Sequence, residues 1–297
     1  VVASALSAAG DPEARRLAGE AVATLAALQW DEGEGITPRA DWYGGAGYGS
    51  SGRPDLSNTQ LMLEALYDAG VSPDEPAVQR ALAFVTRTQN LSATNPADWA
   101  GDDGGFAYTP ANGGESMASE AAGEGRGGEL LPAGAGRRLR SYGSMSYAGF
   151  KSLLYAGLSP EDVRVRAVFD WIRRHYTFQE NPGLGQQGLY YYLHAAARAL
   201  RVGQQIHITR APVLKDDWDA NMAEAMLVAN GVGSAVMSQV RDHFGDDALV
   251  KALDDQTKLE EVPGLAKFSA AHVWSRWTAV KAQFVTLDFL TDIGLQA

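Results

Sequence analysis

The sequence predicts an all-α fold built from repeated helix pairs, and three observations carry that expectation. One pattern is written three times, in AAGDPEARRLAGEAVATLAALQW (8–30), AGVSPDEPAVQRALAFVTRTQN (69–90) and AGLSPEDVRVRAVFDWIRRHYT (156–177). Each copy runs small residue, Gly, a capping Asp or Ser, Pro, an acid and then apolar residues at helical spacing. Self-similarity on this scale means supersecondary units that bury their faces only against one another. A second, less charged set of segments lies between the copies, at 57–70, 144–157 and 185–200. Composition agrees: 45% hydrophobic and 21% charged residues suffice for a sizeable core, without the signature of disorder.

The repeated copies read as outer, amphipathic helices. Asp11-Pro12-Glu13, Ser72-Pro73-Asp74-Glu75 and Ser159-Pro160-Glu161-Asp162 each offer a cap oxygen, a proline with no N–H and an early acid, all suited to a helix start. Apolar residues then recur at three-to-four spacing: Val78, Leu82 and Val85 in one copy, Val165, Val168, Trp171 and Ile172 in another. The intervening segments read as inner helices buried on most sides, the first opened by a Ser57–Gln60 capping box. Inner-to-outer links are tight (68–72, 156–159), whereas outer-to-inner links are long and rich in Gly and aromatics (31–56, 91–143, 178–186). In a ring of such pairs the long loops share one end, which is where function concentrates. The inner-helix N-termini face that end too, so an anionic or electron-rich ligand is expected there.

A formal charge of -11 argues against nucleic acid and against a polybasic membrane surface. No cysteine is present, which excludes disulfides, thiolate nucleophiles and Cys-ligated metals. No apolar run reaches the ~20 residues of a transmembrane helix, and no charged-then-apolar signal segment opens the chain. Val1 rather than Met stands first, which reads as a processed or truncated product of unassigned compartment.

The loops carry a resemblance. LQWDEGEGI…DWYGGAGYGSSGRPDLSNTQ (28–60), TQN…DDGGFAYTPANGGES (88–116), RSYGSMSYAGFKSLLYAGLSPED (140–162) and WIRRHYTFQENPGLGQQGLYYYLHAAARAL (171–200) resemble the prenyltransferase/squalene-oxidase repeat proteins of the terpenoid-cyclase/protein-prenyltransferase superfamily. The likeness covers about 8–203 and implies an α/α toroid, concentric helix barrels around a central apolar cavity. The repeat hallmark, Gln followed by a Gly-Gly-aromatic element, stands here as Gln89 with Gly104-Gly105-Phe106. Its implied role is to tie one repeat to the next. Residues 1–203 are therefore expected to form the toroid repeats, and 204–297 a divergent helical continuation or cap of the same domain. In that tail 215–231 reads as an outer helix capped by Asp216 or Asp217.

The family's known chemistry is not written in the chain. The D-x-D-D motif of triterpene cyclases is absent, and the zinc set of the protein prenyltransferases cannot be assembled without Cys. The histidines show no metal-binding spacing, so neither a metal nor another cofactor is expected. An acid-first mechanism needs a carboxyl kept protonated in an apolar site. Asp55 and Asp103, in mouth loops beside aromatics, are the candidate acids. Candidate ligand contacts are polar and aromatic. Gln187, Tyr191 and His194 share one face of the last inner helix, Tyr142, Ser144 and Tyr147 open the one before it, and Asn58 opens the first. Trp42, Tyr43 and Tyr48 lie in the loop leading to that first helix. The Gly-rich stretch 111–139 reads as a surface insertion ending in the basic group Arg137, Arg138 and Arg140.

Three readings follow. The first is a protein that holds an isoprenoid or other apolar small molecule without the known catalytic set. The second is an active cyclase or transferase with a relocated Asp acid. The third is a protein-interaction scaffold.

Overall fold

The computed structural model describes residues 2–9, 11–118, 138–205 and 218–285. They are helical, with no strand among them. The chain divides into two compact units, Val1–Ile206 and His207–Ala297. Asp216, Asp217, Arg137 and most of the Gly-rich stretch lie outside the described residues.

The first unit alternates outer and inner helices as the repeat requires. α1 (Val2–Ala9) packs on α2 (Pro12–Ala27) and α3 (Leu56–Asp68). The outer helices are α2, α4 (Pro76–Thr88) and α6 (Val163–Arg174); α4 and α6 turn an apolar stripe toward the interior, while α2 buries only Ala14 and Ala18. The inner helices are α3, α5 (Gly143–Tyr155) and α7 (Leu189–Gln205). Every residue of α5 is buried, so it is the centre of the unit, and it packs against α3, α4, α6 and α7.

Three helix starts differ from the sequence expectation. Asp11 caps α2 as expected, accepting hydrogen bonds from the Glu13 and Ala14 N–H groups. In the other two copies the Ser-Pro segment forms a turn, closed by Glu75 N–H to Ser72 O and by Asp162 N–H to Ser159 O. The helices therefore begin at Pro76 and Val163, and Asp162 rather than Ser159 is the cap. Proline fits the second position of such a turn as well as the first turn of a helix, so the dipeptide alone does not choose. The cap of α3 is likewise Asp55, two residues before the expected Ser57, because its carboxylate reaches the Asn58 N–H.

Glutamines clasp neighbouring pairs together. Gln29, just past α2, donates from Nε2 to the carbonyls of Gly44 in its own loop and Ala77 at the start of α4, both at 2.9 Å. Gln89, just past α4, does the same to Gly104 (3.0 Å) and to Arg164 of α6 (2.9 Å). Each loop then returns to an inner helix in matching register. The Ala46 N–H meets Thr59 Oγ1 at 3.0 Å, and the Phe106 N–H meets Ser146 Oγ at 3.1 Å. Both accepting residues lie four positions past the N-cap, Asp55 or Tyr142.

The second unit holds α8 (Trp218–Ala229), α9 (Ser234–Phe244), α10 (Asp246–Leu253), α11 (Gln256–Leu259) and α12 (Lys267–Val285). α8 packs on α9, α10 and α12. Two hairpins turn on left-handed glycines, Gly231 between α8 and α9 and Gly264 between α11 and α12. Its core gathers Met226, Met237, Leu249, Leu253, Val273 and Trp277, with the Trp277 indole donating to Asp254 at 2.8 Å. Arg241 ties α9 to α8 and α10 through Glu224 and Asp246, at 2.7 and 2.5 Å.

Candidate functional site

The loops and inner-helix starts of the first unit line an open cavity of about 420 Å³. α3 contributes Ser57, Asn58 and Leu61, α5 contributes Ser144 and Met145, and α7 contributes Tyr191. Tyr48, Tyr108, Met117 and Tyr142 come from the loops and the α5 cap, and Asn181, Leu184, Gln187 and Gly188 from the last connection. Six expected ligand contacts thus line one cavity: Tyr48, Asn58, Tyr142, Ser144, Gln187 and Tyr191.

The remaining candidates sit elsewhere. Asp55 lies beneath the wall, 2% exposed, and its oxygens accept from Asn58 N–H and Nδ2, both at 2.8 Å. Asp103 accepts from the Gly105 N–H (2.8 Å) and Ser141 Oγ (2.7 Å), so it orders its own loop. Trp42 packs edge-on against Trp30 and donates to Asn112, while the buried Tyr43 donates to Glu32 at 2.9 Å. Tyr147 packs edge-on against Tyr192. His194 faces the charge network below the cavity, where its charge acts on Glu64.

Several donors at the helix N-termini are used within the chain. Asp55 takes the Asn58 N–H at the start of α3, and the Leu56 N–H goes to the Tyr108 carbonyl. At the start of α5 the Asn181 carbonyl accepts from the Ser144 N–H at 2.9 Å, and Pro182 O accepts from Gly143 N–H at 2.8 Å. The chain itself thus takes up part of the donors at these ends, the Asn58, Gly143 and Ser144 N–H groups. The cavity presents phenol, thioether and aliphatic surface together with the hydroxyls and amides of Ser57, Asn58, Ser144, Asn181 and Gln187. Burial, aided by the Asp55 charge, raises the Tyr108 hydroxyl above its ordinary range, and burial also raises Tyr142 and Tyr191. These phenols stay protonated and can donate. Gln60, fully buried behind the wall, holds Tyr191 through Nε2 at 3.3 Å.

Directly below, paired charges fill the space between the inner helices. Lys151 of α5, fully buried, contacts Glu64 of α3. Arg198 of α7 reaches Glu64 at 3.5 Å and Asp68 at 2.8 Å. The interior at this level is ionic, which confines the cavity to the loop end. Burial raises the Glu64 carboxyl, but the charges of Lys151, Arg198 and His194 outweigh it and bring it down to about 2. Because the folded value lies below the ordinary carboxylate value of 4.5, this group contributes stability above that value and loses it as pH falls toward about 2. A shift of that size corresponds to about 3 kcal/mol. Urea unfolding across that acid window is expected to show a loss that Glu64→Gln largely removes.

Sequence reasoning missed Tyr108 and Asn181. Tyr108 stands four residues after Gly104 as Tyr48 stands four after Gly44, so repeat register could have found it. Asn181 has no counterpart in the repeat and gave no such signal. Among the described residues no cluster of His, Asp and Glu is arranged to hold a metal ion, and no helix is long and apolar enough to cross a membrane. Comparison with protein-family models, with curated proteins and with solved structures returns no match.

Proposed function

We propose that this chain is a ligand-binding α/α-toroid protein of the terpenoid-cyclase/prenyltransferase type. It seats an isoprenoid or similar apolar small molecule in the tyrosine-lined cavity and performs no chemistry on it. The observation that carries this reading is the convergence of loop, cap and inner-helix residues on one cavity of about 420 Å³. That size lies within the range of about 300–1,000 Å³ typical of small-molecule sites. Tyr, Met and Leu surfaces supply apolar contact, and the charge network beneath limits how deep a chain can enter. Both candidate acids, Asp55 and Asp103, serve as hydrogen-bond acceptors for neighbouring backbone, a structural use of the carboxylate.

Native mass spectrometry of the protein loaded with farnesol is expected to show one bound molecule. Leu61→Trp, which fills the cavity from α3, is expected to weaken that binding at least tenfold. Incubation with squalene or prenyl diphosphates is expected to give no product. Turnover abolished by Asp55→Asn or Asp103→Asn would instead establish the catalytic reading.

A further inference from the structure

The walls of this cavity have a polarity that an apolar ligand alone does not use. Among the described residues no Lys, Arg or His lines it, and Arg53 and Arg140 nearby do not reach its wall. Arg53 is paired with Glu115 at 2.5 Å, so those two charges offset each other. The Asp55 carboxylate, 2% exposed, lies behind the wall, and its charge also acts on Arg53. It accepts hydrogen bonds from Asn58 and from the Tyr108 hydroxyl, and its charge acts on the hydroxyls of Tyr108, Tyr142 and Tyr191.

Two of the three lining amides, Asn58 and Asn181, are engaged within the chain, and Gln187 is the third. Asn58 Nδ2 is held by Asp55, and the Asn181 side chain is held by the Ser144 N–H, Ser144 Oγ and the Gln187 carbonyl. A sugar would need such groups as donors and acceptors. An anion would meet the Asp55 charge, and the Asn58, Gly143 and Ser144 N–H groups at the starts of α3 and α5 are already used. A cation without strong hydration meets neither obstacle. Tyrosine rings attract it through their quadrupoles, and a buried carboxylate adds to the attraction without needing direct contact.

We infer that the cavity recognises an organic ammonium group, with Tyr48, Tyr108, Tyr142 and Tyr191 as its aromatic walls and Asp55 as the counter-charge behind them. This rests on the proposed reading that the cavity is a small-molecule site, and it specifies the head group of the ligand. The exposed Tyr48 and Met117 stand at the rim, leaving room for an alkyl tail to extend outward along them.

Isothermal titration of the full chain with hexyltrimethylammonium, hexanol and hexyl sulfate tests it. The ammonium compound is expected to bind about tenfold more tightly than hexanol, with the sulfate weakest. Asp55→Asn retains a good helix cap and is expected to shrink that tenfold preference to about twofold or less. Leu61→Trp is expected to abolish binding of all of them. Hexanol binding as tightly as the ammonium compound would overturn the inference and leave the small-molecule site standing. So would an ammonium preference that survives in Asp55→Asn or in Leu61→Trp, since the attraction would then come from elsewhere on an acidic surface. Absence of binding by every probe would remove both the inference and the site.

Discussion

Replacing Lys151 by Met is expected to destabilise the first unit by about 3–5 kcal/mol, the cost of stranding a buried charge whose partner has been removed. Lys151 is fully buried at the centre of α5, and its ammonium is the nearest partner of Glu64, itself only 5% exposed. Burial lowers the lysine, and the neighbouring carboxylate opposes that, so the charged pair persists only as a pair. After Lys151→Met the Glu64 carboxylate retains the more distant Arg198, at 3.5 Å and already engaged with Asp68, and the weaker influence of His194. The double replacement Glu64→Leu with Lys151→Met removes both desolvated charges and fills their volume with apolar atoms. It is expected to recover most of the loss, because an ion pair in the interior roughly balances its own desolvation. Chemical unfolding of the two single variants and the double variant would show a coupling of about 3 kcal/mol. Independent, additive losses would mean that the two side chains do not meet in the folded protein.

Gly104→Ala is expected to cost about 3–4 kcal/mol, and Gly44→Ala a similar amount. Both glycines have left-handed backbone, with φ of +86° and +80°, which costs an ordinary residue about 1–2 kcal/mol. Each also lies against the backbone of the next outer helix. A Cβ on Gly104 would stand 2.3 Å from the Ala167 carbonyl oxygen, and one on Gly44 would stand 1.8 Å from that of Arg80. Backbone cannot yield as a side chain can, so overpacking adds about 1–3 kcal/mol. Gly70 separates the two contributions: its φ is +75° but nothing lies within 4 Å of its Cβ position. Gly70→Ala is therefore expected to cost only about 1 kcal/mol. Equal losses at Gly70 and Gly104 in thermal or urea unfolding would show that the close contact between repeats is not formed.

These predictions mark how much of the molecule is legible in its sequence. The alternation of outer and inner helices follows from periodicity and repetition, whereas the clasp at Gln89 was implied only by the family resemblance and the matching one at Gln29 is visible only in three dimensions. Helix starts were less legible, because Ser-Pro suits a turn and a helix start equally, and the deciding hydrogen bonds of Glu75 and Asp162 are visible only in three dimensions. The cavity was legible where the repeat register places residues at the loop end, as with Tyr48, Asn58 and Ser144. It failed at Tyr147 and His194, which continue along the same helices past the cavity floor. A candidate face fixes direction but not depth. The charge network had a signal that went unread. Glu64 and Lys151 stand six residues before Gly70 and Gly157, so opposite charges occupy equivalent positions in otherwise apolar inner helices. Complementary charges at one repeat position point to a pair across the interface, and that pair moves the cavity from the middle of the helices to their loop end.

The central claim, that this loop-end cavity is the binding site, is tested most directly by fluorine NMR of the protein labelled with 3-fluorotyrosine during titration with farnesol. The chain has 11 tyrosines, of which Tyr48, Tyr108, Tyr142 and Tyr191 line the cavity while Tyr67 and Tyr155 stack on each other elsewhere in the unit. The account predicts saturable shifts at those four lining tyrosines, with Tyr67 and Tyr155 unmoved. Shifts confined to tyrosines outside the cavity, or none at saturating ligand, would contradict it.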